Sequence, residues 1–253
     1  MTKKIAFITG ASSGIGEAIA RKLAAENYCL ILNARREDRI LKLKTELDEK
    51  YNASVLPLIF DIRKRDAVKN AIENLPNEWK EIDVLVNNAG LASGLSTIFQ
   101  GDIDDWEKMI DTNLKGLLFV SRAILPLMVE RKMGHVINIG SIAAKEVYAN
   151  GNVYCSTKFA VDALNKAMRI ELSSFPVKVT AIHPGAVETE FSIVRFHGDA
   201  ERAGKVYEGF DSLHAEDIAE AAWFVLSRPQ HVNINELTIM PTAQPMSGVI
   251  HRK

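Results

Sequence analysis

Short apolar runs rich in β-branched residues alternate with stretches of helical periodicity from one end of the chain to the other. Lys3–Thr9 predicts a first strand and Gly14–Glu26 a helix. Tyr28–Asn33, Ala53–Phe60 and Ile82–Asn87 predict further strands, separated by helices over about Glu37–Glu49 and Lys64–Leu75. Ile82–Asn87 is a near-continuous apolar run ending in Asn-Asn-Ala-Gly, the pattern of a strand buried on both faces. Long helices are predicted over Ile103–Arg131 and Val153–Ser174, with a strand at His135–Ile139 between them. Lys178–His183 and Leu237–Met240 complete the strands. Such alternation makes a parallel sheet with helices on both faces, because right-handed crossovers must cover it. The predicted fold is therefore doubly wound α/β, a single domain over residues 1–253.

In sheets of this kind ligands collect beyond the carboxyl ends of the strands. The unusual residues fall there: Gly10–Gly16, Arg35-Arg36, Asp61, Asn88–Gly90, Ser141 and Pro184-Gly185. A net charge of −1 over 253 residues argues against nucleic acid as the main partner. No run of about 18 consecutive apolar residues predicts a membrane span. Met1-Thr2-Lys3-Lys4-Ile5 begins like a signal peptide, but Gly10, Ser12, Ser13 and Gly14 interrupt the apolar run, so a cytoplasmic protein is expected. The two cysteines, Cys29 and Cys155, are too few and too separated for a metal site or a disulfide framework, and no metal is expected.

The first strand ends in Gly10-Ala11-Ser12-Ser13-Gly14-Ile15-Gly16, with a helix starting inside the turn. Glycines admit a pyrophosphate close to the backbone, and the helix start offers free N–H groups. The spacing is G-x-x-x-G-x-G rather than G-x-G-x-x-G, and a tight turn without ligand is the competing reading. The second strand ends in Asn33-Ala34-Arg35-Arg36, with no carboxylate for a ribose 2′-hydroxyl and two guanidiniums for a 2′-phosphate. The pair selects NADP(H) over NAD(H).

Tyr154 and Lys158 lie four apart on one helical face, and Ser141 follows a strand. Reduction of a carbonyl leaves an alkoxide that needs a proton, and the reverse reaction needs a base. Bringing a tyrosine from about 10 to about 7 takes roughly 4 kcal/mol. One ammonium at about 4 Å, with an effective dielectric near 20, supplies that amount, so Lys158 alone is expected to suffice. Ser141 would hydrogen-bond the reacting oxygen.

Together these residues resemble the short-chain dehydrogenase/reductase family across the whole chain. Thr9–Gly16 fits its T-G-x-x-x-G-I-G turn, Asn87–Gly90 its N-N-A-G, Tyr154–Lys158 its Y-x-x-x-K, and Pro184–Thr189 its P-G-x-V-x-T. Ser141 and Asn113 stand in Asn138-Ile139-Gly140-Ser141 and Asp111-Thr112-Asn113-Leu114. The resemblance implies a Rossmann-type fold, a dimer or more typically a homotetramer, and the roles of individual residues. Tyr154 would be proton donor and acceptor; Lys158 would also hold the nicotinamide ribose. Asn113 would anchor a water that links Lys158 to solvent. Asp61 and Ile62 would border the adenine, and Asn88, with Ala89 and Gly90, the adenosine side. Val187 and Thr189, in the turn opened by Pro184 and Gly185, would meet the carboxamide. Thr189–Ser192, Arg195-Phe196, Gly198-Asp199, Val232–Leu237, Met240–Thr242 and Gln244 resemble the branch of NADP-dependent 3-hydroxy acid (serine and allo-threonine) dehydrogenases.

A 3-hydroxy acid carries a carboxylate. The connection at about 188–210 has the length of a substrate lid and holds Arg195, His197, Arg202 and Lys205. Arg195 is the expected carboxylate partner and Lys145 the second candidate. His183, His214, Trp79, Trp106 and Trp223 read as structural, and the tail Ser247–Lys253 as a cover for a neighbouring subunit or a frayed end. Two alternatives stay open: a broad carbonyl or 3-ketoacyl reductase, and a non-catalytic NADPH-binding regulator, which would need the arginines but not Ser141, Tyr154 and Lys158.

Overall fold

Seven of the apolar runs pair into one parallel sheet in a computed structural model that describes residues 3–253. The strands are β1 (Ile5–Thr9), β2 (Cys29–Ala34), β3 (Val55–Ile59), β4 (Ile82–Asn87), β5 (Gly134–Ile139), β6 (Val177–Pro184) and β7 (Glu236–Ile239). Their order is β3-β2-β1-β4-β5-β6-β7, so the winding reverses between β1 and β4. The connections that leave β1 and β4 run to opposite faces of the sheet and leave a crevice at the carboxyl ends of the paired strands. Every residue of β1, β5 and β6 is buried, including the polar His135, Asn138, Lys178, Thr180 and His183, whereas β7 is an edge strand with alternating exposure.

The helices that follow β1, β2 and β3 are α1 (Gly14–Ala25), α2 (Glu37–Tyr51) and α3 (Arg65–Glu73). After β4 come α4 (Ile103–Ile110) and α5 (Leu117–Arg131), joined by a wider π-type turn over Asp111–Gly116. The single long helix expected over this stretch is thus one helical run with a local widening, and Asn113 sits buried in that turn. Next are α6 (Asn152–Leu172), α7 (Phe191–Arg195), α8 (Ala200–Lys205) and α9 (Ala215–Leu226). The predicted lid therefore carries two short helices that its polar composition hid. On one face Ile19, Leu23, Ile40, Leu47 and Ile218 cover the sheet; on the other Val68, Ile124, Met128, Val161 and Met168 do so.

The helical run Ile103–Arg131 holds no 18 consecutive apolar residues, yet an 18-residue stretch within it reaches a mean hydropathy of 1.3, enough by length and composition to cross a membrane; here Leu117, Val120, Ile124 and Met128 pack on the sheet. The tail, rather than fraying, returns to its own lid: the Lys253 N–H donates to the Gly209 carbonyl at 2.7 Å and Ser247 N–H to Glu146 at 2.7 Å. Met1 and Thr2, part of the leader-like start, lie outside the described residues.

Candidate active site

The turn after β1 is shaped by contacts that only glycine permits. A Cβ on Gly16 would stand 2.3 Å from the Asn88 amide nitrogen and 2.5 Å from the Gly10 carbonyl oxygen. Gly10 and Gly14 have φ of +66° and +56°, a region that other residues enter only under strain. Across the crevice, Thr9 Oγ1 donates to the Val86 carbonyl and accepts from Asn88 and Ala89 N–H, while the Asn88 side chain donates to Thr9 and Gly10 carbonyls. These bonds lock the carboxyl ends of β1 and β4 together. Ser13 precedes α1 but makes no side-chain cap, so the first-turn amides of this helix are available to an anion.

A cleft of about 330 Å³ runs from this turn over the sheet edge. Gly10, Ser12, Ser13, Gly14 and Ile15 line its floor. Arg35, Arg36, Asp61 and Ile62 line one end; Asn88, Ala89, Gly90, Ser141, Tyr154 and Lys158 line the other. Pro184, Gly185, Val187 and Thr189 close its roof. The dinucleotide set chosen from sequence is thus brought together, Gly16 contributing from behind the floor. Phe60, Arg63 and Glu190 were missed. Arg63 grips Asp61 with two guanidinium nitrogens at 2.6 and 2.9 Å, and its position two residues on was the available signal.

At the inner end, Ser141 Oγ accepts the Ala143 N–H at 3.1 Å, which leaves its own proton free to donate. Tyr154 is buried, with Phe191 edge-on at 5.6 Å between ring centres. Burial raises the Tyr154 pKa above the ordinary phenol value; the neighbouring Tyr148 adds to this, while Arg195 and a hydrogen bond with Ser141 pull the other way. Lys158 is buried too, and burial alone lowers it from 10.5 to about 8. Its Nζ donates to the Ile139 carbonyl at 3.0 Å and stands 5.9 Å from the centre of the Tyr154 ring. Desolvation therefore opposes the lowering of the phenol expected from Lys158, and Arg195 is the cation that counters it.

Asn113 lies buried in the widened turn. Its amide is committed to the N–H and carbonyl of Leu91, both at 2.8 Å, and to Thr157 Oγ1 at 3.1 Å. The side chain braces α6 against the loop after β4. Arg195, from α7, lays its guanidinium 5.1 Å from the centre of the Tyr154 ring and 5.0 Å from that of Phe191, and donates to the Tyr148 hydroxyl at 2.7 Å. Its Nε is buried without a partner. Lys145 is excluded as a carboxylate reader, because its ammonium is bound by Asp162 at 3.0 Å and by Glu236. His183 is fully buried against Gly140 with Nδ1 3.2 Å from the Ser141 carbonyl and Nε2 3.5 Å from Asp162, and the His214 N–H donates to Asp217 at the start of α9.

Relatives carry names that suit this geometry. Residues 4–199 match the short chain dehydrogenase family model. An NADP-dependent 3-hydroxy acid dehydrogenase of Salmonella typhi is 48% identical, aligned over 98% of this chain and 99% of its own. Its counterpart in Escherichia coli K12 is 45% identical over 98% and 100%. Among solved structures, the closed form of a serine dehydrogenase complexed with NADP+ superposes with a TM-score of 0.92 at 46% identity, covering 98% of this chain and 100% of that one. An alcohol dehydrogenase of Thermococcus sibiricus, complexed with 5-hydroxy-NADP, does so at 0.86 and 32%, over 96% and 98%. With the cleft, the glycine turn and the Ser141, Tyr154 and Lys158 cluster in place, the chain belongs to the short-chain dehydrogenase family.

Proposed function

We propose that this protein is a cytoplasmic, homotetrameric NADP(H)-dependent dehydrogenase that interconverts a small 3-hydroxy acid and the matching carbonyl compound. The cofactor fits the residues present: free amides at the start of α1, a floor that Cβ atoms would fill, and guanidiniums of Arg35 and Arg36 at the adenosine end. Bound NADP(H) supplies or accepts the hydride. Lys158, projecting from α6 and anchored on the Ile139 carbonyl at the end of β5, would hold the nicotinamide ribose. Val187 and Thr189 orient the carboxamide from the roof. Asp61 and Ile62 border the adenine.

Tyr154 Oη gives its proton to the oxygen that becomes the alcohol and retrieves it in the reverse direction. Its raised pKa keeps the phenol protonated before cofactor and substrate arrive, so the resting group is an acid. Ser141 donates to the same oxygen and stabilises charge as it develops. Asn113 contributes to proton exchange through the main chain of its widened turn, since its amide is committed elsewhere.

The substrate class rests on one observation, the unpartnered Nε of Arg195 beside Tyr154. A buried guanidinium nitrogen without an acceptor is costly unless an anion visits it. A carboxylate two bonds from the reacting carbon would reach both Arg195 and Tyr154. The check is kcat/KM for serine and 3-hydroxybutyrate against a neutral alcohol of the same size, followed at the NADPH absorbance band. Arg195→Ala is expected to cost the acids roughly 10- to 100-fold more than the alcohol, the range for a charged hydrogen bond. Equal losses would remove the carboxylate assignment.

A further inference from the structure

Glu190 stands between the phosphate end of the cleft and the lid. It follows Thr189 in the roof, whose Cβ would meet a Cβ on Gly14 at 3.2 Å, and it precedes α7. Each of its carboxylate oxygens accepts from an arginine of the segment after β2. Oε2 accepts from Arg36 Nη1 at 2.9 Å, and Oε1 from Arg39 Nη1 at 2.6 Å. The two guanidiniums hold its pKa below the ordinary carboxylate value. Arg36 is further aligned by Ser12 Oγ at 3.1 and 3.2 Å and by Ser13 Oγ at 2.7 Å. Arg35, by contrast, makes no ion pair among the described residues.

With Nη1 on Glu190 and Nε and Nη2 on Ser12 and Ser13, Arg36 cannot meet a phosphate with two parallel hydrogen bonds until one of these contacts is released. A 2′-phosphate also brings about two negative charges to the side of Glu190, and like charges at contact distance repel. We propose that Glu190 is a specificity-determining residue that competes with the cofactor's 2′-phosphate for Arg36. The phosphate lands first on Arg35, and Glu190 must release Arg36 before the second guanidinium can turn to it. NADP(H) thus binds less tightly than the three arginines would allow, and NAD(H), which has no such phosphate, leaves the Glu190 contacts in place. The inference deepens the reading of Arg35 and Arg36 as the 2′-phosphate cations and rests on it.

All three side chains are about two-fifths exposed, so the competition is modest and screened by salt. Its test is calorimetric titration of the intact enzyme with adenosine 2′,5′-bisphosphate and with AMP, which differ only in the phosphate at issue. Glu190→Gln, which keeps the size and removes the charge, is expected to tighten the bisphosphate about three- to tenfold and leave AMP unchanged. The gain should shrink as ionic strength rises. Glu190→Ala should behave the same way, which guards against a special effect of the new amide. An unchanged or weakened bisphosphate affinity in both variants would overturn the competition; weakening of both ligands would make Glu190 a strap that retains them. A wild-type enzyme that binds AMP as tightly as the bisphosphate would refute the phosphate assignment of Arg35 and Arg36 and, with it, this proposal.

Discussion

The two ends of the cleft solve opposite electrostatic problems. At the inner end Tyr154 and Lys158 are buried, and desolvation governs both: it raises the phenol and lowers the ammonium. At the outer end Arg36, Arg39 and Glu190 stand about two-fifths exposed, where water screens each charge and pairs exchange readily. Chemistry sits where charge is costly, so a small change in surroundings moves a proton. Recognition sits where charge is cheap, so binding depends on which anion holds which cation. A substitution inside should alter turnover with little effect on cofactor binding, and one outside should do the reverse.

The sharpest break is Tyr154→Phe. It removes the proton donor but keeps the ring against Phe191. General acid–base catalysis contributes about 10²–10⁴-fold, so kcat should fall by about that factor while the dissociation constant for NADPH changes less than twofold. Full turnover by this variant would remove Tyr154 from the chemistry. Next in size is Arg35→Asp, which places a carboxylate where a phosphate is expected. The Michaelis constant for NADPH should rise roughly 10- to 100-fold, the range of a charge-assisted hydrogen bond lost and a repulsion gained, with that for NADH nearly unchanged. Equal shifts for both cofactors would show that Arg35 reads something the two share.

What could be read from sequence follows the same division. The glycine turn, Asn88, Ser141, Tyr154 and Lys158 are legible because each sits at a strand end or on one helical face, and local spacing reveals that. The parallel, doubly wound sheet follows from alternation alone, whereas the strand order is set by which strands pair in the fold. Glu190 against Arg36 is not legible, since 154 residues separate them and neither residue type is unusual on a surface. Lys145 looked available until Asp162 and Glu236, from a different helix and from the edge strand, were seen to bind it. The sign of the Tyr154 shift escaped for a related reason. Coulomb attraction can be computed from a spacing of four, whereas desolvation is the sum of everything the fold packs around the phenol.

The smallest effect tests the inner end through stability. Lys158 is held near 8 in the folded chain and at its ordinary 10.5 when unfolded. The folded chain therefore carries a penalty for the buried ammonium that is complete below about pH 8 and disappears as pH rises to 10.5, because above that value both states are neutral. The gap corresponds to about 3 kcal/mol. Lys158→Met keeps the length of the side chain and removes that penalty, but strands the Ile139 carbonyl that Nζ now satisfies, at about 1–2 kcal/mol. The net expectation is a variant with impaired turnover that is about 1 kcal/mol more stable than the parent at pH 7, by urea denaturation. Near pH 10, where most of the ammonium penalty has gone, the order should reverse, since the stranded carbonyl then outweighs what is left of it. A variant less stable at pH 7 and unchanged in rank at pH 10 would mean that Lys158 is better solvated than its burial implies, and that desolvation does not govern this end of the cleft.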